Sequence, residues 1–255
     1  YGINYGYRSG LNESMVQHLR SKVSHLMRLR PVKSGDIVLD IGSNDATLLS
    51  AYDVSGLKRI GIDPTGVKFE SFYKDGIELV PDFFSADAYK SKFPEQHAAI
   101  ITSISMFYDL ERPSDFVADI AKVLDKNGIW HFEQSYMPTM LRMTSYDTVC
   151  HEHLEYYSLN VVKVLVEKHG LKIIDVQMNG INGGSFAVTV ARIESELKPN
   201  TAVIDWMLGQ EDRMELNTLK PYRDFAERVF RHRDDLVRLI RSLNANGKKV
   251  VGYGA

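Results

Sequence analysis

Ile37-Val38-Leu39-Asp40-Ile41-Gly42-Ser43-Asn44-Asp45-Ala46 carries an apolar run straight into a short polar turn with one glycine. Apolar residues at successive positions give both faces of a strand a reason to be covered, as in a parallel sheet packed on two sides. A glycine at the carboxyl end of such a strand lets the backbone approach a ligand closely, and open α/β sheets bind ligands at that end. A helix is expected to follow Ala46.

Working outward, further strands are expected at 59–63, closed by Pro64, and at 77–80, 98–103 and 128–135, with a helix over 114–124. On the N-terminal side, 12–30 has helical spacing, with Met15, Val16, Leu19, Val23, Leu26 and Met27 on one side and Asn12 placed to cap it. After residue 157 the pattern changes to a helix over 158–169 and two strands, 171–176 and 185–193. The short loop Asn179-Gly180-Ile181-Asn182-Gly183-Gly184 makes these an antiparallel pair. Five parallel strands, a helix and an antiparallel pair are the recurrent order of class I methyltransferase domains. The fold class expected is therefore α/β, a seven-stranded Rossmann-like sheet with an N-terminal helix and a C-terminal helical connector. The connector, 197–246, is charged and helical, with Leu208, Leu216, Leu219, Phe225, Val229, Leu236 and Ile240 as its apolar contacts. Lys248-Lys249-Val250-Val251-Gly252-Tyr253-Gly254-Ala255 reads as a new strand entering a Gly-rich turn. The units expected are 1–30, a segment covering the site; 31–196, the cofactor domain; 197–246, the connector; and 247–255, the start of a second Rossmann-like domain.

Composition narrows the class. Of the 255 residues, 44% are hydrophobic and 25% charged, which argues against disorder and coiled coil. A net charge of −2 gives no electrostatic reason to expect nucleic acid or an anionic membrane surface, and no apolar stretch has the length of a membrane span. One cysteine, Cys150, excludes an internal disulfide or a Cys-rich metal site and fits a reducing compartment, so a cytoplasmic location is expected.

The turn after the first strand also indicates the ligand. Asp63 at the end of the second strand can accept from both hydroxyls of a ribose; the alternative is a helix cap, with Gly42 only a turn residue. A dinucleotide would favour G-x-G-x-x-G, and Asp45 would repel a pyrophosphate. Acidic residues here suit a cation, the sulfonium and amino groups of S-adenosylmethionine, with Asp40 toward the methionine end. Asp87, after the third strand, is a candidate for the adenine amino group or a helix cap.

Tyr146-Asp147-Thr148-Val149-Cys150-His151-Glu152-His153-Leu154-Glu155-Tyr156-Tyr157-Ser158 is the densest group of titratable residues. His151 and His153 lack the spacing of a helical zinc site, so no metal is expected. An imidazole beside a carboxylate suits proton abstraction, whereas the alternative is a solvated polar loop.

Five motifs occur in order: Tyr5-Gly6-Tyr7-Arg8-Ser9-Gly10-Leu11-Asn12, Leu39-Asp40-Ile41-Gly42-Ser43-Asn44-Asp45, Glu133-Gln134-Ser135-Tyr136-Met137, Tyr146 to His153, and Asn182-Gly183-Gly184-Ser185, with Gly252-Tyr253-Gly254-Ala255 last. With them the chain resembles the bacterial S-adenosylmethionine-dependent sugar C-methyltransferases, the group containing the tetronitrose-type C-3′-methyltransferase. The resemblance covers essentially the whole chain. It implies a three-part protein whose zinc-binding N-terminal module is missing here and whose C-terminal Rossmann-like domain barely begins. It implies a nucleotide-linked 4-keto-deoxysugar as substrate, His153 as the base that removes the C3 proton, Glu152 as its partner or a sugar contact, His151 beside them, and Tyr5 or Tyr7 near substrate and sulfonium. The cofactor site is then expected from Tyr7, Ser9, Asp40, Gly42, Asn44, Asp63, Asp87 and Ser103, and the substrate site from Tyr136, Cys150, Asp109, Asn182, Gly184 and Ser185. The protein is expected to be a monomer. Three departures bear on the sugar: relatives carry Tyr where Cys150 stands, some carry His where Asp109 stands, and the turn often reads Asn-Asp-Gly where this chain has Asn44-Asp45-Ala46. A methyltransferase acting on oxygen or on another carbon acid, a non-catalytic cofactor-binding module and an NAD-dependent epimerase-like domain are the competing readings.

Overall fold

Asn12 caps the first helix, α1 (Glu13–Leu29), by accepting the Ser14 N–H on its side-chain oxygen at 3.0 Å. Leu19, Val23 and Leu26, one helical face, are buried against the sheet. The computed structural model describes residues 6–253, so Tyr5, Gly254 and Ala255 lie outside the described residues.

The sheet has seven strands: β1 (Ile37–Ile41), β2 (Lys58–Ile62), β3 (Ile77–Val80), β4 (Ala98–Ile104), β5 (Leu124–Ser135), β6 (Leu171–Asn179) and β7 (Ser185–Arg192). Their order is β3-β2-β1-β4-β5-β7-β6. The first five run parallel, and β7 pairs antiparallel with both β5 and β6. This is the class I methyltransferase sheet that the sequence predicts. Period-2 alternation divides the core. Val38, Ile100 and Ile129 face α1, while Ile37, Leu39, Ile101 and Trp130 face α2 (Ala86–Lys92), α3 (Pro113–Val123) and α5 (Leu159–Glu167). Trp130 lies among Phe107, Phe116 and Phe132, with its indole N–H donated to Ser103 Oγ at 3.0 Å. Truncating such a side chain to Ala costs about 3–5 kcal/mol.

Two expectations are corrected. The turn after β1 does not wind into a long helix. Asn44 and Ala46 adopt left-handed backbone, φ 50° and 58°, so the chain makes successive turns and then a single 3₁₀ turn, Leu49–Ala51. Residues 248–253 form no strand. Among the described residues they pair with none, and a single strand leaves its backbone polar groups unpaired.

The connector is two helices. α6 (Thr201–Arg213) buries Ile204, Met207 and Glu211 in the body of the fold. α7 (Lys220–Ala245) has no buried residue and contacts α4 (Met137–Met143). Leu216 and Phe225 pack on the α4 cluster, as expected of apolar contacts, but Leu219 and Leu236 are exposed. Among the described residues no helix is long and apolar enough to cross a membrane.

Candidate active site

β1 and β4 are neighbours whose connections leave in opposite directions, which opens a crevice at their carboxyl ends. A cavity of about 250 Å³ lies there, and Tyr7, Ser9, Asp40, Gly42, Asn44, Asp63 and Asp109 all line it. Seven expected site residues from four separate segments thus meet in one place.

Each carboxylate is held differently. Asp40 accepts from Thr102 Oγ1 at 2.5 Å and is otherwise enclosed. Burial, opposed by that bond and reinforced by the charge of Asp63, pushes its carboxyl up to about 7. Asp63 organises the turn: its Oδ2 accepts the Asn44 N–H at 2.8 Å, and its Oδ1 accepts the N–H and hydroxyl of Thr65, each at 2.7 Å. Oδ1 thus has both lone pairs engaged, and Oδ2 keeps one for a ligand. Gly42, φ 73°, makes the sharp exit from β1 that an L side chain would strain.

Asn44 and Asp45 clamp the segment that precedes α1. Asn44 accepts the Ser9 N–H at 3.0 Å and donates to the Tyr7 carbonyl at 2.9 Å. Asp45 accepts the Gly10 N–H at 2.9 Å and pairs with Arg8 Nε at 3.4 Å. The strap 7–10 is therefore held against the cavity, which Tyr7 and Ser9 line, with Arg8 over the Phe72 ring at 4.4 Å.

Two expected residues lie elsewhere. Asp87 is exposed in the first turn of α2, which Ser85 caps, and does not line the cavity. Ser103 is fully buried, with its hydroxyl accepting from Trp130; Ser105, φ 54°, stands on the wall instead. The sequence reading also missed Phe83 and Phe84, which line the cavity after β3. Their signal was position: two aromatics in polar surroundings at a strand's carboxyl end.

The loop after α4 seats one of its three central residues. His153 packs on the Tyr108 ring, centroids 4.4 Å apart, and Tyr108 precedes Asp109 of the cavity wall. The Tyr108 carbonyl accepts the N–H groups of Leu154 and Glu155 at 3.1 and 3.0 Å. His153 Nδ1 lies 2.9 Å from the Thr148 carbonyl. A carbonyl only accepts, so Nδ1 carries the proton and Nε2 keeps its lone pair, with no partner among the described residues. Glu152, expected as the partner or a sugar contact, makes no bond to the His153 ring among the described residues. It is half-exposed and lies 4.0 Å from His151, whose ring stands in solvent. Cys150 is exposed.

The other residues expected around the substrate serve the backbone around that loop. Tyr136 is buried and donates to Glu211 at 2.6 Å. Ser185 donates to the Ile181 carbonyl at 2.8 Å. Asn182 is a left-handed turn residue, φ 52°. Gly184, φ 127°, has Thr139 so near that an added Cβ would meet its methyl at 2.5 Å.

Residues 14–176 match the family described as methyltransferase domain. The chain belongs to that methyltransferase family. Residues 180–255 match a second family, described as C-methyltransferase C-terminal domain. The chain is 29% identical to C-methyltransferase NovU of Streptomyces niveus over 254 residues, 99% of this chain but 60% of that protein's length. Among solved structures, it resembles a chain of the complex between the Haloferax volcanii Trm112 methyltransferase activator and a methyltransferase, with TM-score 0.54, 17% identity, and coverage of 72% of this chain and 94% of that one. It also resembles magnesium protoporphyrin IX methyltransferase from Synechocystis PCC 6803 with bound S-adenosylhomocysteine, with TM-score 0.53, 12% identity, and coverage of 74% and 91%.

The cavity of this methyltransferase fits the cofactor of its class, S-adenosylmethionine. Asp40 is a carboxyl that burial and the charge of Asp63 hold toward its neutral form, and an ammonium or sulfonium is a group that would favour its charged form. Asp63 Oδ2 presents an acceptor for a ribose hydroxyl. Phe83 and Phe84 supply apolar faces for a flat ring. A pyrophosphate would instead meet Asp40 and Asp63.

Proposed function

We propose that this methyltransferase transfers a methyl group to carbon, at C3 of a nucleotide-linked 4-keto-deoxysugar. The observation that carries the reading is the seating of His153: an imidazole whose Nδ1–H is fixed on a carbonyl and whose Nε2 is left for a proton, packed on the residue next to the cofactor cavity. A proton α to a ketone needs a base that presents a lone pair, and an imidazole whose other nitrogen is fixed on a carbonyl presents one. The match of 180–255 to a C-methyltransferase domain and the likeness to NovU support carbon as the acceptor.

In this reading Asp63 holds a ribose hydroxyl and Asp40 the cationic methionine end, so that the methyl carbon faces the acceptor. When bound, S-adenosylmethionine supplies an electrophilic methyl on sulfonium. His153 Nε2 would take the C3 proton, leaving the electron pair in the C3–C4 enolate, a carbon nucleophile for that methyl. The C–C bond would form as the S–C bond breaks, with S-adenosylhomocysteine leaving as the thioether. The Thr148 carbonyl stabilises the imidazolium through Nδ1–H during this step. The strap 7–10, held against the cavity, would exclude water there.

The test is product analysis with a 4-keto-deoxysugar nucleotide. A C-methyl singlet in the proton spectrum is expected, together with exchange of the C3 hydrogen in D₂O when S-adenosylhomocysteine replaces the donor. An O-methyl product without exchange would overturn carbon transfer.

A further inference from the structure

Glu133 takes no part in the chemistry above, yet it is a buried carboxylate with three side-chain partners on the α1 side of the sheet. It stands near the end of β5 and is 1% exposed. Its Oε1 lies 2.6 Å from His18 Nε2, and its Oε2 accepts from Lys22 Nζ at 2.6 Å and from Asn179 Nδ2 at 2.7 Å. Its backbone carbonyl accepts the N–H of Ser105 at 2.8 Å. The attraction of Lys22 and the bond from His18 outweigh the effect of burial and hold the carboxyl down at about 2.

These partners belong to different parts of the site. His18 and Lys22 lie on α1, the helix that presents Met15 and Leu19 to the cofactor cavity. Ser105 is on the opposite cavity wall. Asn179 opens the turn that ends at Gly184, and its Oδ1 accepts the Ile181 N–H at 2.9 Å. That turn adjoins the loop bearing His153: Tyr136 donates its N–H to the Gly184 carbonyl at 3.1 Å, and a Cβ on Gly183 would lie 4.0 Å from Ser145 Oγ. An apolar residue would serve for packing alone, because a buried ion pair is often no more stabilising than well-packed apolar groups. What a carboxylate adds at this place is a set of directed bonds to two segments, α1 and the turn 179–184, while the bond to Ser105 comes from the Glu133 backbone.

We propose that Glu133 is a positioning residue that ties the wall of the cofactor cavity to the turn 179–184, so that filling the cavity orders the turn beside the His153 loop. The proposal rests on reading the cavity as the S-adenosylmethionine site. The energetic content is a coupling between the two places, carried by α1, Glu133 and Asn179.

Hydrogen exchange with S-adenosylhomocysteine as the probe tests it. In the wild type the ligand is expected to slow exchange in both 7–29 and 179–185. In Asn179→Ala it should slow only 7–29, with the Kd for S-adenosylhomocysteine within twofold of wild type and kcat/KM for the keto-sugar down about tenfold, the weight of one bond to a charged group. The pair Glu133→Gln with Lys22→Met removes both buried charges together and should also abolish the response of 179–185; Asn179→Ala alone decides the matter if that pair does not fold. Protection that stops at residue 29 in the wild type, or a turn that still responds in Asn179→Ala, overturns the coupling. A calorimetric titration with no binding of S-adenosylhomocysteine would instead overturn the cofactor reading, and the proposal with it.

Discussion

At the carboxyl ends of β1 and β2, Asp40 and Asp63 are buried and bonded to backbone or hydroxyl donors, and the turn between them is pinned to the strap by Asn44 and Asp45. In the loop that follows α4, Cys150 and His151 stand in solvent, Glu152 is half-exposed, and only His153 is seated, through one carbonyl and one ring. The first region is finished before any ligand arrives. The second has one residue in place and the rest open, which suits an acceptor that brings contacts of its own. In the proposed function, binding precision would come from the strand ends and proton transfer from a loop braced against them.

The largest effect should come from removing the seated imidazole. His153→Ala is expected to bind S-adenosylmethionine with unchanged affinity by calorimetry and to lose about 10²–10⁴-fold in transfer rate. Wild-type C3 exchange in this variant would move the base elsewhere, and His151 would be tested next. On the cofactor side, Asp63→Asn keeps an acceptor for Thr65 but turns an amide toward the Asn44 N–H. A loss of about tenfold to a hundredfold in cofactor affinity is expected, the cost of about 1–3 kcal/mol in hydrogen bonding. Unchanged affinity would remove Asp63 from the site.

A third test uses pH. Burial raises the Asp40 carboxyl to about 7, so the folded protein holds a proton that the unfolded chain has released. Its contribution to stability therefore falls as pH rises from about 4 to about 7 and is level above that. A bound cation favours the carboxylate, so binding should release a proton below pH 7, with affinity weakening toward about tenfold per unit of acidification. Binding enthalpies that do not vary with buffer ionisation at pH 6 would exclude Asp40 as the cation's partner. The smallest effect is expected of Cys150→Ser. An exposed thiol in the open part of the loop should leave transfer within about twofold of wild type, since surface changes are usually small. A defect as large as that of His153→Ala would show that the open region closes over the substrate through this residue.

Strand positions were legible because apolar runs and their bounding glycines and prolines act locally; β1 and β3 fall where the sequence places them. The turn after Gly42 was not, because its left-handed Asn44 and Ala46 are imposed by distant partners, Asp63 below and the strap above. Asp40, Gly42 and Asp63 could be chosen by their place at strand ends. The seat of His153 could not, since it depends on the Tyr108 ring and on a backbone carbonyl, and sequence reports neither. Asp87 and Ser103 were chosen on the same positional logic that found Asp63, and side-chain direction carried them away from the cavity.

Glu211 shows where the polypeptide resists recombination. From α6 it accepts the N–H groups of Leu159 and Asn160 at 2.5 and 2.9 Å, and the Tyr136 hydroxyl at 2.6 Å. One carboxylate from the connector thus closes the N-terminal end of α5 and the start of α4, where the negative charge also meets the positive end of a helix. A chimera joined between β7 and α6 would exchange that carboxylate for whatever the donor sequence brings, and two buried donors, the Tyr136 hydroxyl and the Leu159 N–H, would lose their acceptor. A crossover placed after Arg213, in the turn that precedes α7, keeps the cap with the helices it serves. For shuffling domains among relatives, that turn is the natural seam.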